Sequence, residues 1–587
     1  MHNKTKKTKP MFETKKTRLF EQKSAGKVTT SKVTNSFVKA AMKKTHQTTA
    51  LGNGALKYTT TGSDFVDQFA KCTMYKAPRT FAEISKDMSL LFSQNPLVAT
   101  KLALYFRLIT RQVALFDGKK TQHTQRGQGL RHEGIFRMIW LAINQPDIFW
   151  NNVHLMIACG SWKDIITMLQ YDLVYNGWEG RKLNWEQMGQ VILAGLENPG
   201  TLNLVKKYLP SIKANKQCQT VESQADNMIG KYLVGILFPE YRNVKHESER
   251  ARYYKQYRKL KSSGTAHTWQ QLISQKKMLS IDFNTIHGRA LSLLVSGKFL
   301  KNQNLETKYQ EWIAAKPVAK YTGYPYELIG HLKTNRRASI NLATYQKDTI
   351  NKQFMQLVEV AKNGMAEGDT GLLPVIDTSG SMTSPVPGTK CTAFSVATSM
   401  ALYFSYLLKG PFADAYAEFS DSAIMREWKG KTPIDRIANM GSSITAGTNF
   451  QAVADLLVHV KRKGVPESEF PTGIICISDG CFNSVGSNTT NFEELKRRLK
   501  KGGFSKEYID NFKCILWDVP NIYYSKKGNQ AFEAFADQPN LFHIGGLDPA
   551  SIAFITGIKG SEKIPQTSEE LFEAAMDQEV LNMVDIL

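Results

Sequence analysis

The chain has 587 residues, 42% hydrophobic and 22% charged, with a formal net charge of +24. That is too long for one ordinary core and too apolar for a disordered polyelectrolyte, so a soluble protein of two or more domains is expected. No apolar run approaches a bilayer span and the N-terminus lacks a signal peptide's apolar stretch. Both argue against a membrane partner and for a cytoplasmic location (host cytoplasm or virion for a phage-encoded chain).

Residues 1–50 hold 13 Lys/Arg against Glu13 and Glu21, the composition of a disordered basic arm. The first ordered element is expected near Ser63-Asp64, where Ser63 can cap a helix carrying Phe65, Val66 and Phe69. From there to about residue 363 helical signals dominate. Asn95-Pro96 is a start signal, because Asn accepts orphan N–H groups and Pro tolerates the first helical position. Val98, Leu102, Tyr105 and Ile109 then recur on one face. Ile135, Ile139 and Ile143 mark a second face that ends before Pro146, and Ser161-Trp162-Lys163-Asp164 has the form of a capping box. Further helices are expected at 185–196, 201–209, 225–237, 268–276 and 285–297. Short connections between such helices predict an all-α module over 51–365, built of stacked HEAT-like repeats. Its net charge of +20 favours a polyanionic partner, nucleic acid being the commonest. Solubility alone is the competing explanation.

After Gly364 the pattern changes. Apolar runs at 372–376, 412–419, 473–478, 512–519 and 541–544 read as buried strands. Helical stretches at 391–408, 434–439, 449–463, 491–502 and 529–536 alternate with them. This predicts an α/β domain over 366–587 with a doubly wound, largely parallel sheet, carrying a net charge of −7. Ligands of such sheets bind at the carboxyl ends of strands, at a topological switch point. The seven cysteines include no C-x-x-C pair, so neither a zinc ribbon nor a disulfide framework is expected.

The first strand leads into Asp377-Thr378-Ser379-Gly380-Ser381. One carboxylate and two hydroxyls within five residues offer a hard cation oxygen ligands on one tight loop, with Gly380 easing the turn. Thr448, just before a helix, and Asp479, at the end of the 473–478 strand, are expected at the same sheet edge. Neutral hydroxyls with few carboxylates leave Mg²⁺, or another divalent cation, under-neutralised and open to an acidic ligand from outside. The alternative is a polar turn with an incidental strand-end acid.

Asp377-x-Ser379-x-Ser381 with Thr448 and Asp479 resembles the metal-ion-dependent adhesion site (MIDAS) of von Willebrand A domains. The resemblance implies these five residues as the metal ligands. A long helical segment followed at once by such a domain resembles the Ro ribonucleoprotein family and its TROVE module, its plant and phage relatives above all. Thr60-Thr61-Gly62-Ser63-Asp64-Phe65-Val66-Asp67, Asn95-Pro96-Leu97, Arg126-Gly127-Gln128-Gly129, Gly160-Ser161-Trp162-Lys163-Asp164 and Tyr257-Arg258-Lys259-Leu260 occur in an order similar to that family's, and Trp517-Asp518-Val519-Pro520-Asn521 matches a tryptophan-centred strand end near its C-terminus. The resemblance spans roughly 55–587; in that family helical repeats close into a ring that binds RNA, and the resemblance implies such a module over 51–365. Gly127-Gln128-Gly129 lacks one glycine of the pattern, and the lysine-rich arm has no counterpart.

RNA binding needs cations for phosphates and planar groups for unpaired bases. Residues 242–261 hold eight Lys/Arg against Glu247 and Glu249, interleaved with Tyr241, Tyr253, Tyr254 and Tyr257. Arg250, Arg252, Tyr254, Lys255, Arg258, Lys259 and Lys261 are the candidate contacts there, unless the tyrosines pack inward on a merely solvated helix. Arg126 and Arg131 flank a glycine turn that could approach phosphate. Lys206-Lys207 and Arg336-Arg337 carry less weight. His132-Glu133 lacks the second His of a zinc protease, no G-x-S-x-G or P-loop occurs, and His123, His132, His154 and His287 are dispersed. The expectation is a non-catalytic RNA-binding protein of Ro type with no small-molecule substrate, whose metal-bearing domain recruits an acidic protein. Its rivals are a protein-interaction scaffold, such as a phage structural or cargo component, and an adaptor for an ATPase chaperone.

Overall fold

The computed structural model describes residues 48–50, 56–71, 79–214, 217–263, 269–286, 288–317, 319–334, 337–338, 341–367, 370–387, 389–441, 445–486, 489–519, 534–559 and 563–587. The basic arm up to residue 47, Cys72, His287, Arg336, Pro520-Asn521 and most of the helix expected at 529–536 lie outside them. Residues 48–587 of the description belong to one compact unit, His46–Leu587. Regular structure begins before Ser63, correcting the expectation: β1 (Thr48–Ala50) and β2 (Leu56–Tyr58) pair antiparallel. Strands of three residues are too short to print a period-2 pattern.

The helical half runs through α1 (Asp64–Lys71), α2 (Phe81–Gln94), α3 (Pro96–Arg107), α4 (Arg131–Asn144), α5 (Pro146–Cys159), α6 (Trp162–Asn176), α7 (Trp185–Glu197), α8 (Leu202–Tyr208), α9 (Val221–Leu237) and α10 (Glu247–Ser263). It continues through α11 (Trp269–Ser274), α12 (Gly288–Ser296), α13 (Phe299–Asn302), α14 (Glu306–Ala314), α15 (Pro325–Ile329), the short strands β3 (Lys333–Thr334) and β4 (Arg337–Ala338), and α16 (Thr344–Lys362). The predicted start signals work as chemistry. Asn95 accepts the Val98 N–H at 3.1 Å, and Ser161 closes a capping box with Asp164. Ser63 Oγ accepts the Val66 N–H at 3.4 Å.

The C-terminal half is a six-stranded sheet of β5 (Leu372–Asp377), β6 (Ala415–Phe419), β7 (Ala423–Glu427), β8 (Gly473–Ser478), β9 (Lys513–Asp518) and β10 (Leu541–Gly545). Its order is β10-β9-β8-β5-β6-β7, parallel except for the antiparallel edge strand β7. Helices α17 (Ala393–Leu407), α18 (Pro433–Asn439), α19 (Gln451–Lys461), α20 (Asn491–Lys501), α21 (Lys506–Asn511), α22 (Ile552–Thr556) and α23 (Ser568–Met576) join and cover the strands. From β5 the chain moves to β6 on one side, and later from β8 to β9 on the other. The switch point therefore falls between β5 and β8.

Alternation along the strands separates two cores. Leu373, Val375, Ala417, Phe419, Ile474, Cys476, Cys514 and Leu516 face one buried cluster, which α19 and α20 complete. Leu372, Ile376, Ile475, Ile477, Ile515, Trp517, Phe542 and Ile544 face another, and that cluster continues without a break into helices α1 to α10. The sheet thus uses the helical half as part of its own cover. Polar ties cross the same junction: Lys101 Nζ donates to Asn582 Oδ1 at 2.6 Å, and Thr110 Oγ1 to Asp548 Oδ2 at 2.7 Å. A third, separate cluster gathers Ile281 through Tyr345. Among the described residues the six cysteines are unbridged, and no helix is long and apolar enough to cross a membrane.

Candidate functional site

Asp377 is the last residue of β5, and Asp479 follows the last residue of β8, so the two carboxylates stand at adjacent strand ends on the switch point. Asp377 is fully buried. Its Oδ1 accepts the Ser379 N–H at 2.8 Å, and its Oδ2 accepts the Ser478 hydroxyl at 2.6 Å. The Ser379 and Ser381 hydroxyls lie 3.1 Å apart. Burial first, and then the neighbouring Asp479 charge, push the Asp377 carboxyl well above the usual range, against the hydrogen bonds from Ser478 and Ser379.

Thr448 is buried on the loop before α19. Main-chain bonds tie this loop to three others: Thr445 N–H to Thr378 O at 3.1 Å, Asn449 N–H to Ser420 O at 2.7 Å, and Asn483 N–H to Thr448 O at 2.9 Å. A Cβ on Gly447 would lie 1.7 Å from Asp421 Oδ1, so any larger residue there would have to displace that carboxylate. Gly380, expected to ease the turn, keeps an ordinary negative φ and a Cβ there would meet nothing closer than 3.8 Å; the path is made instead by a short 3₁₀ turn, Gly380–Thr383. Asp377 and Ser379 are buried, while Ser381 and Asp479 are half-buried. Among the described residues no group of three or more His, Cys, Asp or Glu gathers as metal ligands; this set is two carboxylates complemented by hydroxyls.

Three participants were not legible beforehand. Ser478 is the positioning donor for Asp377. Asp421 stands against Gly447. Lys57 on β2 buries its ammonium against the 479–482 loop, donating to Gly480 O at 2.6 Å and lying 5.2 Å from the Phe482 ring centroid. Nothing local to Lys57 points to a loop 423 residues away.

The sequence-assigned cations divide. Arg126 is not on a surface at all. It is 1% exposed and donates to the carbonyls of Thr124, Ala361 and Asn363 at 3.0, 2.7 and 2.9 Å. Its glycine turn is packed, not open: a Cβ on Gly127 would fall 2.5 Å from Leu108 O. The expected phosphate contact at Arg126 is therefore corrected to a structural role. Arg131 keeps 41% of its side chain exposed, donating to Asp164 Oδ1 at 3.2 Å and Thr167 Oγ1 at 2.9 Å. Asp164 itself is buried and also takes Arg107 Nε at 2.7 Å.

On α10 the tyrosines turn inward. Tyr257 is buried and donates to Pro210 O at 2.9 Å, while Tyr254 shares a 2.6 Å bond with the Tyr241 hydroxyl. Burial raises both phenols above their ordinary range. Lys261 is half-buried and donates to Leu209 O, and burial lowers its ammonium. Arg250 donates to Val244 O at 3.2 Å. Arg252, Lys255, Arg258 and Lys259 remain exposed. The charged–aromatic face expected from Tyr254, Arg258 and Lys261 is thus split into an inner aromatic side and an outer cationic one. Lys207 is exposed beside Tyr208, and His132 is bound to the Arg79 carbonyl at 2.8 Å.

Residues 372–570 match a family described as a domain of unknown function (DUF7788). The matched span begins with β5 and ends within α23, so it takes in the whole sheet with Asp377, Thr448 and Asp479 and leaves out the helical half. No curated protein matches the chain.

Proposed function

We propose that the chain is a non-catalytic RNA-binding protein of Ro type, in which helical repeats hold RNA and a von Willebrand A-like domain over 366–587 holds a divalent cation. The observation that carries the RNA reading is the outer side of α10, where Arg252, Lys255, Arg258 and Lys259 are exposed together within a strongly basic half. Clustered cations attract a phosphate backbone without regard to sequence. Crosslinking in cells followed by sequencing of bound RNA tests it. The wild type is expected to enrich RNA, and a variant with these four residues changed to Glu is expected to lose most of it. Equal recovery from both proteins would overturn the reading.

Asp377, Ser379, Ser381, Thr448 and Asp479 would hold the cation, Mg²⁺ being the favoured ion. Support comes from the donor chemistry: two carboxylates at neighbouring strand ends and two hydroxyls in hydrogen-bond contact, where burial makes an uncompensated pair of acids costly. A bound ion would neutralise that pair and offer its remaining coordination to an acidic group of a protein partner. The half-buried side at Ser381 and Asp479 is where such a group would arrive.

A protein-interaction scaffold is the second reading. One observation favours it: because Tyr254 and Tyr257 face inward, α10 offers charge without a stacking surface.

A further inference from the structure

Stacking groups absent from the outer side of α10 stand exposed elsewhere. Helix α6 carries Thr167, Tyr171 and Tyr175 at successive turns of one face. The Tyr171 and Tyr175 rings stack, with centroids 5.5 Å apart and planes inclined by 12°. Tyr171 is held from behind. His132 Nε2–H donates to the Arg79 carbonyl, which leaves Nδ1 to accept the Tyr171 hydroxyl at 3.0 Å, and Phe136 meets the ring edge-on at 4.5 Å. Tyr175 is 68% exposed, so the outer face of a rigidly backed, already stacked ring looks into solvent.

One cation stands beside this stack, and others lie on the loop that follows the helix. Arg131 touches Thr167 one turn before Tyr171. After the helix ends, the buried Asp172 carboxylate accepts Lys182 N–H at 2.9 Å, Leu183 N–H at 3.1 Å and Trp185 Nε1–H at 2.8 Å. The loop so fixed sets the Arg181 guanidinium 3.5 Å over the Trp178 ring. Over residues 160–185 the acids Asp164 and Asp172 are buried and internally bonded, leaving Lys163, Arg181 and Lys182 against Glu179 alone. A backed aromatic face in a segment whose exposed charge is mostly positive suits an unpaired base, whose ring stacks while its phosphates meet cations of that segment.

We propose that the Tyr171–Tyr175 stack, with Arg131 beside Thr167 and with Arg181 and Lys182 on the loop that follows α6, is a stacking subsite for single-stranded RNA. It rests on the RNA reading above and adds to it: α10 would hold backbone, and Tyr175 would hold a base.

The test is fluorescence anisotropy of the full chain with a labelled 12-nucleotide single-stranded RNA and a blunt duplex of the same sequence. Tyr175→Ala should weaken single-strand binding by about fivefold or more and leave duplex binding unchanged. Tyr175→Phe, which keeps the ring, should bind as the wild type does. Thermal melts of both variants should match the wild type, because the side chain is mostly exposed. If Tyr175→Ala binds the single strand normally while the α10 charge-reversed variant loses it, the subsite is overturned and the RNA reading stands. Equal weakening on strand and duplex also overturns the subsite. If the wild type binds neither probe, the RNA reading fails and the subsite with it.

Discussion

Arg126 and Gln578 hold each other across 452 positions of sequence: the Arg126 N–H donates to Gln578 Oε1 at 2.6 Å, and Gln578 Nε2 donates back to the Arg126 carbonyl at 2.8 Å. The pair joins the turn before α4 to the segment just after α23, and it does so inside the core shared by the two halves. Arg126→Ala leaves the buried bonds to the Thr124 and Ala361 carbonyls and the half-buried one to Asn363 without their donor, so it should cost about 3 kcal/mol of unfolding free energy. Gln578→Ala should cost about 1–2 kcal/mol. Chemical denaturation checks both. The same core implies a single cooperative transition for the full chain and a fragment 366–587 that does not fold by itself. Two separated transitions would mean that the halves are independent.

Stability should also depend on pH through Asp548, which accepts the Thr110 hydroxyl and the Ala550 N–H at the same junction. Burial raises its carboxyl from 3.8 to about 6 despite those bonds. The folded protein therefore binds a proton that the unfolded chain has released between these two values. Stability from this group is full below the unfolded value and falls as pH rises through about 4 to 6. Asp548→Asn, which keeps the acceptor without the charge, should flatten that part of the stability–pH curve. An unchanged slope would remove Asp548 as its source.

The proposed cation site predicts a ligand-dependent melting temperature. At a hundredfold excess over its dissociation constant, Mg²⁺ should stabilise the wild type by about 2.7 kcal/mol relative to chelator, and Asp377→Ala should show no such difference. Ser478→Ala keeps the five ligands but frees Asp377 Oδ2 from its 2.6 Å bond, so its metal affinity should fall by about tenfold. Identical responses of wild type and Asp377→Ala would remove the site.

How much of this was legible follows the range of each interaction. Caps such as Asn95 and Ser161 act within three residues, and the sequence reads them directly. Asp377, Ser379 and Ser381 sit on one short loop, and Asp479 is marked by the apolar strand that precedes it. Edge strand β7 escaped because Ala423–Glu427 is largely solvated and shows no buried alternation. The shared core escaped as well. Ile475, Ile477 and Trp517 look the same in sequence whether a domain's own helices or a neighbouring module covers them. Arg126 differs from its sequence reading for a related reason: nothing local to a charged residue beside glycines reveals that carbonyls at the end of α16 and just past it will take up its guanidinium.

The RNA reading is tested most directly by the salt dependence of affinity for single-stranded RNA, measured on the full chain with and without Arg252→Glu, Lys255→Glu, Arg258→Glu and Lys259→Glu. Each phosphate contact contributes a slope of about −0.7 in log affinity against log salt. A steep slope is expected for the wild type, and for the variant weaker binding with a slope shallower by about two units or more. Equal affinity and equal slope for the two proteins would contradict that reading.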